Sequence, residues 1–342
     1  MADDDQEDQE DDDPHQVEQP DEATESRTAV LIALAANLLI AALKGIAFFV
    51  TGSASLLAEA LHSFSDSGNS LLLLVGLRSA QKPPDDEHPY GYGKDAYFWS
   101  LLAALFMVGV ISTQSINAGF ARFEHPRPLR NASTGLLILG ISALVETAAV
   151  VVALRAFRSK ASARAGHRLG LVESLAHFRA TDAPAVKLVL IEDLLALAGV
   201  LVAMAAVAIT ERTGIHQVDG IGAMVIGVMI AVLAVVLARE YRTKLIGTAA
   251  DLEIEDRIQR VSMTYPPVRD VREVTTMVVG PNRVIAHLTI ELDPHTRIEE
   301  MDDITAELER RLMRAIPQIS DAYIEVIADE DPDYSGAPIG LR

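Results

Sequence analysis

Apolar residues fall in six long runs separated by short polar breaks, at roughly residues 28–50, 53–77, 97–119, 132–155, 185–210 and 219–239. Each is close to the ~20 residues that a helix needs to cross a ~30 Å hydrocarbon core. The pattern therefore predicts an all-α six-helix transmembrane bundle over residues 27–247. The first run lacks a basic flank and follows an acidic stretch, so it reads as a span and not as a signal peptide.

The pattern changes after residue 247. Residues 251–263 carry an amphipathic helical period, stopped by Pro266 and Pro267. Val271–Val279 and Arg283–Leu292 read as strands around a Gly280-Pro281-Asn282 turn, with Val284, Ala286, Leu288 and Ile290 on one face. A second amphipathic helix over Ile298–Arg314 and a last strand over Ala322–Ala328 complete the order helix-strand-strand-helix-strand. That order predicts a small α+β, ferredoxin-like domain over residues 248–330, with residues 331–342 as a C-terminal tail. A domain of this size is near the lower limit for a self-sufficient core, so pairing with a second copy is expected to help it.

Charge is distributed as unevenly as hydropathy. Residues 1–26 hold 13 Asp or Glu and no Lys or Arg, which predicts a disordered acidic tail. The bundle is slightly basic and the α+β domain acidic, within a total of −19. Both polar segments would repel phosphate, so nucleic acid is excluded as a partner. The absence of cysteine excludes a disulfide framework, a thiolate metal site and a cysteine nucleophile. The loops on the side shared by the two chain ends hold 14 Lys or Arg, against 4 on the other side. The positive-inside bias therefore places both termini in the cytoplasm of a multi-pass membrane protein, in the inner membrane if the source is prokaryotic.

Ionisable groups within spans are costly and mark pathways or sites. Here they are Lys44 in the first run, Glu59, His62 and Asp66 in the second, Glu146 in the fourth, and the adjacent Glu192 and Asp193 in the fifth. His62 and Asp66 are four residues apart and share a helical face, with Glu59 near it. An imidazole beside a carboxylate suits a borderline ion such as zinc, and Glu192 and Asp193 are the obvious donors from a second helix. The bland alternative is a hydrogen-bonded His–Asp pair that fixes packing. Lys44 and Glu146 read as partners of each other or as groups at a water-filled cavity.

The run TGSASLLAEALHSFSDSGN, the following PDDEHPYGYGK, EDLLALAGV in the fifth span, Asp219-Gly220 opening the sixth and the α+β domain together resemble the cation diffusion facilitator family. These are proton-coupled exporters of divalent metals, and the resemblance runs from about Thr28 to Asp329. It implies that His62 and Asp66 are metal ligands of the second helix and Asp193 the carboxylate of the fifth. Where many zinc-transporting members have a His four residues before that carboxylate, this chain has Val189. The Glu-Asp pair resembles a subgroup of zinc exporters, and the fourth ligand lies between Glu192, Glu59 and water. The resemblance also matches Asp85 and His88 to an accessory site, with Tyr92 where a second His is expected. In the α+β domain only His287 and His295 stand where some members use several histidines. A homodimer is implied as well.

Together these features predict a Zn²⁺ exporter working by H⁺ antiport and alternating access, with the metal as substrate and no cofactor. Ions such as Mn²⁺, Fe²⁺, Co²⁺ or Cd²⁺ are alternatives on an acid-rich site. No GxxxxGK[ST] run is present, which leaves an ion gradient as the energy source, and no HExxH run supports an intramembrane metalloenzyme. A membrane-anchored metal sensor would not need ionisable groups on several spans.

Overall fold

The structure, a computed structural model, describes residues 21–165, 170, 173, 184–293 and 295–327. Most of the acidic head, part of the basic linker between the fourth and fifth runs, and the C-terminal tail lie outside the described residues. Of the head, only residues 21–26 are described, and they open the first helix.

The bundle comprises α1 (Asp21–Thr51), α2 (Ala54–Ala80), a composite third rod, α5 (Ala132–Ala165), α6 (Pro184–Thr213) and α7 (Gln217–Ile246). The third rod is α3 (Asp95–Phe106), a π-helical turn (Met107–Ser112) and α4 (Thr113–Glu124). Among the described residues, four rods, 95–124, 132–159, 187–213 and 217–246, are long and apolar enough to cross a bilayer, and α1 carries the apolar stretch Asn37–Thr51. α2 falls outside that group because Glu59, His62, Asp66 and its serines dilute its apolar residues. Leu56, Leu139, Val200, Ile226 and Leu233 pack in the bundle core. Phe49, Leu144 and Val152 point outward and are exposed, an arrangement suited to lipid and unfavourable in water.

The α+β unit contains α8 (Leu252–Met263), β1 (Val268–Gly280), β2 (Arg283–Leu292), α9 (Ile298–Ala315) and β3 (Ile319–Ile327). The sheet order is β1-β2-β3, with β1 antiparallel and β3 parallel to β2. Alternation along β2 buries Val284, Ala286, Leu288 and Ile290 as expected, against Ile304, Leu308 and Leu312 spaced at four residues along α9. Glu300 reaches back to the Arg297 N–H at 3.3 Å to cap α9. Both outer strands begin three residues earlier than their hydrophobic alternation indicates. Val268 pairs with Leu292 and Ile319 with Val284, so the ladder recruits backbone that side-chain pattern does not mark.

The loop between α2 and α3 docks on this sheet. A Cβ built on Gly93 would meet the carbonyl oxygen of Val279 and stand 2.9 Å from the Gly280 Cα, so two backbones touch where neither residue has a side chain. Gly93→Ala is therefore expected to lift the loop off the sheet. Hydrogen exchange should rise at residues 85–94 and 277–283 and stay unchanged at the α9–β2 core; unaltered exchange at the loop would refute this contact as the anchor.

Candidate metal site

Placement of the acidic groups begins at the end of the bundle remote from the sheet. Ser53 caps α2 in extended conformation (φ −77°, ψ 128°), and its hydroxyl accepts from the Leu56 N–H at 3.2 Å. The same hydroxyl donates to Asp219 Oδ1 at 2.5 Å. Asp219, in the first turn of α7, also accepts from the Ala54 N–H at 2.7 Å, the Ser55 N–H at 3.2 Å and the Ser55 hydroxyl. A carboxylate thus sits on the positive end of the α2 dipole, fully buried. Arg122 of α4 brings its Nε to 3.3 Å from Asp219 Oδ2, a buried charge pair without aligned hydrogen bonds. In sequence, Arg122 is one of the 4 basic residues on the side away from the chain ends and Asp219 opens the sixth run; the signal for the knot is Ser53 standing one residue before an apolar helix.

With its start fixed, α2 carries Glu59, His62, Ser63 and Asp66 into the bundle. His62 Nδ1 lies 3.7 Å from Asp66 Oδ1, beyond hydrogen-bond reach, and both atoms are buried without a hydrogen-bond partner. Asp66, Glu146, Glu192 and Asp193 line one cavity of about 130 Å³, with Asn37 and Ser63 among its other walls. α1, α2, α5 and α6 all contribute. Glu192 and Asp193 both reach this cavity although successive helical residues diverge by ~100°. Val189 is half-exposed on the same helix.

Lys44 is completely buried and spans the helices behind this cavity. Its Nζ donates to Glu59 Oε2 and to Ser63 Oγ, both at 2.9 Å, and lies 3.9 Å from Glu146 Oε1. The expected Lys44–Glu146 contact exists, but Glu59 is the closer partner. Glu59 and His62 face a second, much smaller cavity beside Gly199. Among the described residues, no three His, Asp or Glu side chains already stand in a metal-holding arrangement.

Asp85 and His88 lie in the docked loop, apart from these cavities. Asp85 Oδ1 accepts from the Glu87 and His88 N–H groups at 3.1 and 2.8 Å, and Oδ2 accepts from the Tyr92 hydroxyl at 2.7 Å. The Tyr92 hydroxyl, and after it the backbone N–H of His88, holds the Asp85 carboxyl below its ordinary pKa, and the same bond pushes Tyr92 up to about 12. Tyr92 thus closes on Asp85 the turn that a second His would face with a ring nitrogen. Because the folded pKa of Asp85 is lowered, this turn is fully held above the usual carboxylate range and loosens as pH falls through the depressed value. His88 stacks on Tyr92, ring centroids 4.1 Å apart.

The family model described as cation efflux transmembrane domain matches residues 30–246, and that described as cation efflux protein, cytoplasmic domain, matches residues 250–326. Metal tolerance protein C4 of Arabidopsis thaliana is 30% identical over 75% of this chain and 55% of its own length. The proton-coupled zinc antiporter SLC30A9, mitochondrial, of Mus musculus is 28% identical over 77% of this chain and 46% of its own. The cation-efflux pump FieF of Cronobacter sakazakii is 26% identical over 90% of this chain and 92% of its own. The chain spans about half the length of the first two relatives.

Proposed function

Because the chain belongs to the cation efflux family, we propose that this integral membrane protein exports Zn²⁺ from the cytoplasm by H⁺ antiport and alternating access. The observation that carries this reading is the one cavity that Asp66, Glu192 and Asp193 all line inside the bundle, with His62 one turn along α2. Carboxylates at such depth need a cation. Metal binding requires ionised carboxylates and a neutral imidazole, so protons and metal compete for the same atoms, and that competition couples their fluxes.

In this reading α1, α2, the composite rod, α5, α6 and α7 form six spans. The bias of basic residues supports a cytoplasmic position for both chain ends and the α+β domain. The αββαβ order of that domain supports a ferredoxin-like assignment, and its modest core supports a homodimer. Residues 1–26 and 331–342 are its acidic head and its tail. The activity is transport, with no catalytic step. Zn²⁺ is favoured by His62 and by the likeness to SLC30A9, a proton-coupled zinc antiporter. The excess of carboxylates over imidazole at the cavity keeps Mn²⁺, Fe²⁺, Co²⁺ and Cd²⁺ as the second reading.

The test is metal uptake into proteoliposomes under an imposed pH step, run with each of these ions; flux indifferent to the pH step would overturn antiport. Glu192 is the proposed fourth ligand. Glu192→Gln should weaken Zn²⁺ binding about tenfold or more, since an amide oxygen carries no charge. An unchanged isotherm with a lowered melting temperature would instead assign Glu192 to packing. Val189→His should tighten binding only if water, and not Glu192, completes the site.

A further inference from the structure

We infer that Lys44 is a specificity-determining residue: its ammonium fills an all-oxygen cation position at the wall of the acidic cavity and leaves the imidazole-bearing side to the transported ion. This deepens the proposed function and rests on its reading of His62, Asp66 and Asp193 as ion ligands.

Oxygens from two helices surround the Lys44 Nζ. Glu59 Oε2 and Ser63 Oγ of α2 accept from it at 2.9 Å, and Glu146 Oε1 of α5 stands at 3.9 Å. Lys44 and Glu59 are completely buried, which removes the ammonium from bulk water. Ser63 and Glu146 are at the same time walls of the cavity that Asp66, Glu192 and Asp193 line. The ammonium therefore borders the ion cavity and shares two side chains with it.

Two carboxylates and a hydroxyl, with no nitrogen among them, are the donor set of a hard cation such as Mn²⁺. In this chain that position belongs to a cation on a stem, which cannot diffuse away and whose burial is offset by its partners. What is left to a mobile ion is His62 with Asp66, Glu192 and Asp193. A donor set that includes an imidazole suits Zn²⁺, whereas carboxylate alone suits Mn²⁺. Lys44 thus sets selectivity by withholding oxygens from the cargo, without touching the ion itself. Its removal would open Glu59, Ser63 and Glu146 to a second divalent ion.

The test is calorimetric titration of the purified full chain with Mn²⁺ and with Zn²⁺. Lys44→Met should bind one more Mn²⁺ per chain than wild type, and the ratio of Mn²⁺ to Zn²⁺ affinity should rise about tenfold or more. Glu146→Gln in that background should abolish the extra Mn²⁺, because it withdraws one of the two carboxylates. Lys44→Met strands the buried Glu59 charge. Lys44→Met combined with Glu59→Gln strands no fully buried charge and should fold where the single variant does not, still with a gain of Mn²⁺ that depends on Glu146. An ion count and a Mn²⁺/Zn²⁺ ratio equal to wild type in a folded variant, with only the melting temperature lowered, would overturn the inference and leave Lys44 a packing residue. An added Mn²⁺ indifferent to Glu146→Gln would overturn it as well. Wild-type Zn²⁺ affinity in Asp66→Ala and Asp193→Ala would instead overturn the ligand reading on which the inference stands, so the two failures are distinct.

Discussion

Asp66→Ala and Asp193→Ala are each expected to abolish metal flux in proteoliposomes, a loss of roughly 100-fold or more, while the protein remains folded and inserted. Both carboxylates face the same cavity inside the helix bundle. Each is an expense to the bundle that only a cation offsets, so its removal should not destabilise the helices. Flux, by contrast, needs negative charge to replace the water stripped from a divalent ion. The decisive pair of measurements is flux and melting temperature on the same preparation. Near-wild-type flux in either correctly inserted variant would remove that residue from the site.

Asp219→Ala should produce the largest loss of stability. It removes the acceptor for the Ala54 and Ser55 N–H groups and both serine hydroxyls, and it leaves Arg122 buried without its counter-charge. Stranding one member of a buried pair costs about 3–5 kcal/mol. Thermal melting in detergent should register it directly. Combining it with Arg122→Met should recover a large part of the loss, since no charge is then left unpaired. If the two single changes are additive in the double variant, the pair is not the source of the effect.

These two predictions differ in how far sequence alone leads to them. His62, Asp66, Glu192 and Asp193 are visible because an ionisable residue in an apolar run is conspicuous and four-residue spacing sets a face. The hairpin at Gly280-Pro281-Asn282 and the amphipathic α8 and α9 are equally plain, since turn chemistry and periodicity are local. What sequence does not encode locally is how helices meet. Lys44 has two acids within reach of its long stem, and only packing decides that Glu59 lies at 2.9 Å and Glu146 at 3.9 Å. Asp219 and Ser53 are separated by more than 160 residues, and each alone is an ordinary helix start. Glu192 and Asp193 diverge by ~100° on a helical wheel, yet both line the same cavity.

The π-helical turn at Met107–Ser112 bears on how this chain is to be aligned with its relatives. A π turn houses one residue more than the α turn it replaces, so the wheel drawn for Asp95–Glu124 as a single helix mixes two registers offset by ~100°. α3 and α4 therefore obey the same period with different phases. Where the extra residue enters, Ser112 donates its hydroxyl to the Gly227 carbonyl at 2.9 Å, which ties the widened turn to α7. A relative one residue shorter within 107–112 keeps every contact of both halves, whereas the same deletion a turn away would rotate half the rod out of its groove. This segment is the natural place for a single-residue gap, and residues on its two sides are to be compared as separate helices.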